Sequence, residues 1–308
     1  MESVATSTPA SASASLRDAH EDFGTYAIAT QWRHTRQLGN GPSDALGNAP
    51  LLALHGARSN LHRWSGLLGP LQTLGVGSLA PSLSGHGPDS PLALADTSLA
   101  QNLREALQCA QRMGPQLRAV MGSSLGGALA LRVAEQHADQ VQLLVLIGPA
   151  LYPEAAWQAA HFGEPFRNAI SVPFGFMESR SLTFLRRFRG RVLLVQGEWD
   201  GLQATDHGAP AGRSAGEVAL ALPDGRQRTV WSPIPAEVFS AIREAAGPRL
   251  QHIVLSQCDH RVGAHLQQYP AVAQALAQQL HAALQTPIQG PAPAPLRIGQ
   301  DGEALHFS

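Results

Sequence analysis

Lysine is absent from the 308-residue sequence, and all 22 basic residues are arginine. This absence excludes Schiff-base chemistry, a lysine-anchored pyridoxal phosphate, a P-loop lysine and a Ser-Lys dyad. Charged residues make up only 15% of the chain, below the usual quarter. Acidic residues number 23, so the two signs balance. A nucleic-acid partner held by bulk charge is therefore not expected.

Cysteine is also scarce, with only Cys109 and Cys258. Neither belongs to a C-x-x-C pair, so the sequence does not support a structural zinc or redox site. The two thiols could form one disulfide, but reduced cysteines and a cytoplasmic location are the simpler interpretation. No apolar run approaches the roughly 18 residues of a membrane span. Residues 1–22 begin with a Ser/Ala/Thr-rich stretch lacking the apolar core of a signal peptide, which predicts a disordered arm.

Short apolar runs alternate with amphipathic segments along most of the chain. The predicted strands are Tyr26–Trp32, Thr35–Leu38, Leu51–His55, Val76–Ala80, Leu117–Met121, Val141–Ile147, Arg191–Val195 and His252–Ser256. The predicted helices are Asn60–Leu74, Leu99–Met113, Leu125–His137 and Ala271–Leu284. This alternation predicts an α/β fold, a doubly wound and mostly parallel sheet covered on both faces. Residues 23–148 and 191–285 form its predicted core.

Three segments interrupt or extend this alternation. Residues 149–190 follow the most apolar strand, and residues 201–250 form a predicted insertion before the last core strand. Within the insertion, Glu217–Leu222 and Arg228–Ser232 flank Pro223-Asp224-Gly225, which predicts a strand pair around a turn. Residues 286–308 form a Pro-rich tail with a possible hairpin around Asp301-Gly302.

The strongest functional signal is Gly122-Ser123-Ser124-Leu125-Gly126, a G-x-S-x-G match between a predicted strand and a predicted helix. Glycines at both ends allow a tight strand-to-helix turn that lifts the Ser124 hydroxyl above the sheet edge. The helix N-terminus beneath it favours developing negative charge. We interpret Ser124 as a nucleophile, and the alternative is a plain Gly/Ser turn.

A His-Gly pair follows the strand Leu51–Leu54. His55-Gly56-Ala57 is the type of loop that supplies an oxyanion donor, so the backbone N–H groups of Ala57 and Leu125 are the predicted oxyanion pair. The imidazole of His55 itself is expected to be structural rather than catalytic.

Taken in order, these motifs make the sequence resemble the α/β-hydrolase fold. His55-Gly56 precedes Ser82–Gly87, which precedes Gly122–Gly127, and an acid and a late histidine follow. The resemblance covers roughly Tyr26 to Gln285 and implies that residues 149–190 form a small cap. Ser82 stands where the family usually has Asp, in a loop that normally holds structure.

The resemblance implies a Ser-acid-His triad. Gln196–Asp200 matches the family's G-x-x-D pattern, so Asp200 is the candidate acid, with Glu198, Asp206 and Asp224 as alternatives. His260 is the candidate base and His265 the alternative. About 25–30 residues commonly separate acid and base in the family, whereas these two are 60 apart in the numbering.

Aromatic residues concentrate in the cap. Those proposed to line a substrate pocket are Trp157, Phe162, Phe166, Phe174 and Phe176. The alternative is that these rings only pack the cap onto the sheet. Five arginines between Arg180 and Arg191 could attract an anionic substrate, although a solvated face is the simpler interpretation.

The combined prediction is a serine hydrolase that cleaves a small-molecule carboxylic ester or thioester through Ser124, His260 and Asp200. No metal or cofactor is implied, because the sequence has neither H-E-x-x-H nor a helix-opening G-x-G-x-x-G. Carbon–carbon bond hydrolases, acyltransferases and perhydrolases could use the same triad. A non-catalytic ligand receptor or interaction protein of this fold is the other class that stays open.

Overall fold

A ten-stranded sheet dominates the protein in a computed structural model that describes residues 15–35, 49–222, 225–285 and 291–307. Its strands are β1 (Ser15–Asp22), β2 (Ala27–His34), β3 (Leu51–Leu54), β4 (Ser78–Pro81), β5 (Ala119–Ser123), β6 (Leu143–Ile147), β7 (Arg191–Gly197), β10 (Leu250–Leu255), β11 (Leu296–Ile298) and β12 (Ala304–His306). Their order across the sheet is β1-β2-β4-β3-β5-β6-β7-β10-β11-β12. Strands β8 (Gly216–Ala221) and β9 (Gln227–Ser232) form a separate hairpin.

The centre of the sheet, from β4 to β11, is parallel, and antiparallel pairs lie at both edges. Each central strand is apolar throughout because successive side chains enter opposite cores. In β3, for example, Leu52 and Leu54 enter one core while Leu51 and Ala53 enter the other. The predicted doubly wound sheet is confirmed.

Helices cover both faces. They are α1 (Ser65–Thr73), α2 (Leu99–Met113), α3 (Leu125–Gln136), α4 (Glu154–Gln158), α5 (Glu164–Ile170), α6 (Arg180–Arg187), α7 (Ala236–Ala246), α8 (Val262–Gln268) and α9 (Pro270–Gln285). Helices α2 to α7 contribute to one core, and α1, α8 and α9 contribute to the other. No helix within the described ranges is long and apolar enough to cross a membrane.

The prediction that residues 1–22 form a disordered arm is wrong for the last eight of them, which form β1. This strand is mostly exposed and lacks apolar alternation, so its sequence carries no strand pattern. It is held by antiparallel pairing with β2 and by an ion pair between Glu21 and Arg112. Residues 1–14 lie outside the described part of the chain, as do 36–38 of the second predicted strand.

The predicted cap and insertion both extend too far into the core. Helix α6 packs on α3 and α7, so residues 180–187 form the crossover from β6 to β7 rather than part of the cap. Likewise α7 buries Val238, Phe239 and Ile242 against the sheet and forms the crossover from β7 to β10. Residues 149–179 and 201–235 are therefore the true excursions.

The predicted C-terminal hairpin forms and also extends the sheet. β11 pairs in parallel with β10 and antiparallel with β12. Gly302 makes the turn with a φ of 85°. Residues 286–290 of the Pro-rich tail lie outside the described ranges, as does the Pro223-Asp224 part of the predicted turn.

Candidate active site

Ser124 occupies a strained turn between β5 and α3. Its φ is 50° and its ψ is −119°, a region that non-glycine residues rarely adopt. A Cβ on Gly122 would lie 1.9 Å from the Gly126 carbonyl oxygen, and one on Gly126 would lie 2.5 Å from the His55 oxygen. Both glycines are therefore required by close backbone contacts, which explains the G-x-S-x-G spacing.

The loop after β3 lies against this turn. A Cβ on Gly56 would lie only 3.2 Å from the Ser124 Cβ. Ala57 follows it and lines a cavity that also contains Ser124. Leu125 is the first residue of α3, where a helix leaves its N–H groups without intrahelical partners. The two predicted oxyanion donors therefore flank the serine.

His55 is fully buried and both of its ring nitrogens are engaged. Nδ1 lies 2.7 Å from the Gly56 oxygen, and Nε2 accepts a hydrogen bond of 2.9 Å from the Leu83 N–H. Burial lowers the pKa of His55 to about 3. A neutral imidazole that ties two loops together supports the expected structural role.

Asp200 and His260 form a direct pair. Asp200 Oδ2 lies 2.7 Å from His260 Nδ1, and Asp200 Oδ1 accepts a 3.0 Å hydrogen bond from the Gly201 N–H. The Asp200 side chain is fully buried, and that of His260 is 11% exposed. Burial raises the pKa of Asp200, while charge and hydrogen bonding from His260 oppose that rise. The contact fixes the proton on Nδ1 and leaves Nε2 available to accept one.

The gap between acid and base is bridged by strand pairing. Asp200 follows β7 and His260 follows β10, and these parallel strands are neighbours, with Gly197 paired to Leu255. A Cβ on Gly197 would lie 2.5 Å from the Asp259 oxygen, so glycine lets the two loops approach. The intervening excursion, residues 201–235, turns back on itself through the β8–β9 hairpin.

The alternative acids and base lie elsewhere. Glu198 pairs with Arg297 and accepts the Gln257 N–H, and Asp206 lies in a short turn, Ala204–His207. Asp224 is outside the described residues. His265 is buried in α8 with its ring 4.7 Å from that of Tyr269. Among the described candidates, Asp200 contacts His260, and His260 lines the same cavity as Ser124.

Two cavities meet at Ser124. The larger, about 350 Å³, lies between the two excursions and is lined by Leu151, Tyr152, Phe176, Gly212, Arg213, Pro233, Ile234 and Val238, among others. The smaller, about 240 Å³ and here called the arginine cleft, is lined by Gly56, Ala57, Arg58, Ser59, Arg63, Ser123, Trp231, His260, Arg261, Gly263 and Ala264. The serine is half-buried and lines both.

Of the five predicted pocket aromatics, one lines the larger cavity and the other four pack against neighbouring residues. Phe176 lines the larger cavity together with Tyr152. Phe162 and Phe166 make an edge-to-face pair, and Phe166 packs in turn on Tyr152. Trp157 stacks under Arg132, and Phe174 is 43% exposed with its ring over Gly212. Phe174 also joins the cap to residues 201–235, so the two excursions form one roof.

Trp231 of the hairpin contacts the loop that carries His260. Its N–H donates to Asp259 Oδ2 at 3.0 Å, and its carbonyl accepts the His260 N–H at 3.0 Å. Its side chain is 41% exposed and lines the arginine cleft. No sequence pattern indicates these two backbone hydrogen bonds, because they depend on how the hairpin folds back.

The described residues include neither a metal-ligating cluster nor a disulfide. Within residues 15–35, 49–222, 225–285 and 291–307, no cluster of three or more His, Cys, Asp or Glu side chains could hold a metal ion. Cys109 and Cys258 are both free and buried.

Curated relatives of the chain include hydrolases. Esterase Rv0045c of Mycobacterium tuberculosis is 30% identical over 133 residues, covering 43% of this chain and 43% of the relative. Lipase LipV of the same organism is 35% identical over 111 residues, covering 36% of this chain and 40% of the relative. The chain thus matches about two-fifths of the length of these relatives.

Solved structures share the whole fold at low identity. A thioesterase domain from the curacin biosynthetic pathway superimposes with a TM-score of 0.55 at 16% identity, covering 87% of this chain and 99% of that domain. Est1E from Butyrivibrio proteoclasticus, with ferulic acid bound, gives 0.55 at 16% identity, covering 86% and 99%. The profile of the alpha/beta hydrolase family matches residues 51–287, which include every element of the site. The chain belongs to the alpha/beta hydrolase family.

Proposed function

We propose that the protein is a serine hydrolase that cleaves a carboxylic ester or thioester through an acyl-enzyme. The observation that carries this proposal is the buried Asp200–His260 pair, whose histidine lines the same cavity as Ser124 at its strained turn. Esterase, lipase and thioesterase relatives support the same class.

In the proposed reaction, His260 Nε2 takes the Ser124 hydroxyl proton as Oγ attacks the acyl carbon. The N–H groups of Ala57 and Leu125 stabilise the oxyanion, aided by the N-terminus of α3. His260 then gives its proton to the departing alcohol or thiol. Water, deprotonated by the same histidine, releases the acid from Ser124 and restores the hydroxyl. Asp200 keeps Nδ1 protonated throughout.

The accessibility of the Ser124 turn favours catalysis over a receptor role. Ser124 is half-buried and lines two cavities, so a substrate carbonyl can reach it. In a non-catalytic relative we would expect a missing triad residue or an occluded turn, and neither is observed among the described residues. Carbon–carbon bond hydrolysis and acyl transfer remain alternatives that use the same residues.

Substitution of the nucleophile tests the proposal. Ser124→Ala should lower kcat/KM for 4-nitrophenyl butyrate by about 10⁴-fold or more, since only binding and oxyanion stabilisation remain. It should also abolish labelling by a fluorophosphonate probe. The free energy of unfolding, measured in urea, should change little.

Ser123→Ala is the matched comparison. Ser123 ends β5 in extended conformation one residue before the strained turn, so its loss should be far milder and labelling should persist. Retained hydrolysis by a folded Ser124→Ala variant would overturn the proposed function, and so would absence of labelling in the wild type.

A further inference from the structure

The two cavities at Ser124 differ in which of them contains the base. His260 lines the arginine cleft but is not among the residues that line the larger cavity under the cap. In acyl transfer the histidine that accepts the serine proton returns it to the leaving group, so the leaving group must depart beside it. If the proposed function holds, the arginine cleft receives the alcohol or thiol part and the larger cavity receives the acyl part.

The arginine cleft is strongly cationic. Arg58, Arg63 and Arg261 line it, and none of the described residues that line it is acidic. Arg261 is already neutralised, because its Nε–H donates to Asp259 Oδ2 at 2.9 Å and its Nη2 contacts the same carboxylate. Glu217, paired with Trp231 in the hairpin, adds a further negative charge near Arg261.

Arg58 and Arg63 have no such partner. Within the described residues, no carboxylate forms a salt bridge with either guanidinium. Arg63 Nε donates to Ser59 Oγ at 3.3 Å, which leaves its terminal nitrogens available. Two unneutralised arginines beside a reactive centre are a ready site for a carboxylate or a phosphate.

Both side chains are placed by specific local structure. Arg58 directly follows the oxyanion residue Ala57 and has a φ of 54°, held by its N–H to His86 Nδ1 at 3.4 Å. A left-handed backbone conformation is strained for an arginine, and residues with such strain cluster at functional sites. The stem of Arg63 crosses Gly263, where a Cβ would lie 2.4 Å from the Arg63 Cδ. Both arginines are exposed, and these local contacts place them at the cleft.

We infer that the natural substrate has an anionic leaving group, and that Arg58 and Arg63 bind its carboxylate or phosphate while Ser124 attacks the acyl carbon. The inference rests on the proposed function. The arginine-rich segment 180–191 gives no comparable site, because Arg180 and Arg187 pair with Glu135 and Arg191 begins β7 at the opposite edge of the sheet.

Two substrate pairs test the inference, each with one acyl group and one bond type. The carboxylate pair is 4-nitrophenyl butyrate and 3-carboxy-4-nitrophenyl butyrate. The phosphate pair is the butyryl thioester of N-acetylcysteamine and that of coenzyme A. In at least one pair, kcat/KM should favour the anionic member by about tenfold or more, the scale of one charged hydrogen bond.

The preference should depend on the two arginines and on salt. The double variant Arg58→Gln/Arg63→Gln should bring the ratio close to one. Arg104→Gln removes the same type of charge from an exposed position on α2 and should keep the wild-type ratio. Sodium chloride at 1 M should also reduce the ratio, because the Debye length shrinks to about 3 Å.

The outcomes separate this inference from the proposed function. Hydrolysis of the neutral members through Ser124, with no anionic preference in any pair that is cleaved, would overturn the inference alone. An anionic preference that survives in the double variant would also overturn it. If the wild type cleaves none of the four substrates, the proposed function fails and the inference fails with it.

Discussion

Gly148 offers a sharp test of the acid–base pair without altering either of its members. It directly follows β6, has a φ of 47°, and donates its N–H to the Val195 oxygen at 2.9 Å. A Cβ at this position would lie 2.8 Å from Asp200 Oδ2 and 3.1 Å from His260 Nδ1. The substitution Gly148→Ala therefore pushes a methyl group against the contact that orients the base.

The size of the effect follows from this geometry. Relieving the carboxylate contact requires a shift of roughly half an ångström, and a 1 Å misplacement of catalytic groups can cost about 10²-fold in rate. We expect kcat to fall by about 10- to 100-fold, since orientation of His260 matters more to chemistry than to binding. The left-handed backbone adds a stability cost of about 1–2 kcal/mol.

Gly114→Ala is the matched control. Gly114 also has a positive φ, 56°, at the end of α2, but a Cβ there would have nothing within 4 Å. Both variants should lose similar stability in urea denaturation, and only Gly148→Ala should lose kcat on 4-nitrophenyl butyrate. Equal kcat values in the two folded variants would refute the reasoning that kcat depends on the geometry of the Asp200–His260 contact.

Two further predictions concern pH and the hairpin. Burial in the folded protein lowers the pKa of His55 to about 3, whereas its ordinary pKa is about 6.5. Below pH 6.5 the unfolded chain therefore binds more protons than the folded protein. The free energy of unfolding should then fall by up to about 1.4 kcal/mol for each unit by which the pH decreases. Urea denaturation at pH 7 and pH 5 should show this loss of unfolding free energy, and the His55→Gln variant should lose less. An equal loss in the wild type and the variant would contradict the prediction. Trp231→Ala removes the ring but keeps the N–H that bonds Asp259, whereas Trp231→Pro removes both. The alanine variant should chiefly change KM, and the proline variant should also lower kcat because the His260 loop loses a hydrogen bond that holds it. Equal kcat values in the two variants would argue against a role for the Trp231 backbone in positioning His260.

The serine turn could be predicted because its requirements are local. Two glycines, a serine and a switch from an apolar strand to a helix lie within a few residues, and the close contacts at Gly122 and Gly126 explain why that spacing is needed. The partners of Ser124 required one further step, the adjacency of two parallel strands. Since β7 and β10 are neighbours, Asp200 and His260 meet despite the long gap between them.

The parts that sequence reasoning missed depend on tertiary contacts or on a misjudged boundary. β1 has no apolar pattern and exists because β2 offers an edge to pair with. Helix α7 does have helical spacing, at Val238, Phe239 and Ile242, yet the predicted insertion includes it because the long acid–base gap suggests a single excursion. The orientation of Arg58 follows from a left-handed backbone, which no composition pattern indicates.

The hairpin connects substrate recognition to the geometry of the base. The same residue, Trp231, presents its ring to the arginine cleft and its backbone to Asp259 and His260. One strand residue therefore contributes both to the lining of the cleft and to the hydrogen bonds that hold the histidine loop. This connection predicts that removing the ring alone chiefly changes KM, whereas disturbing the strand backbone alters kcat and KM together. If the proposed function holds, the hairpin would contribute to leaving-group recognition through the position of His260 as well as through contacts in the cleft.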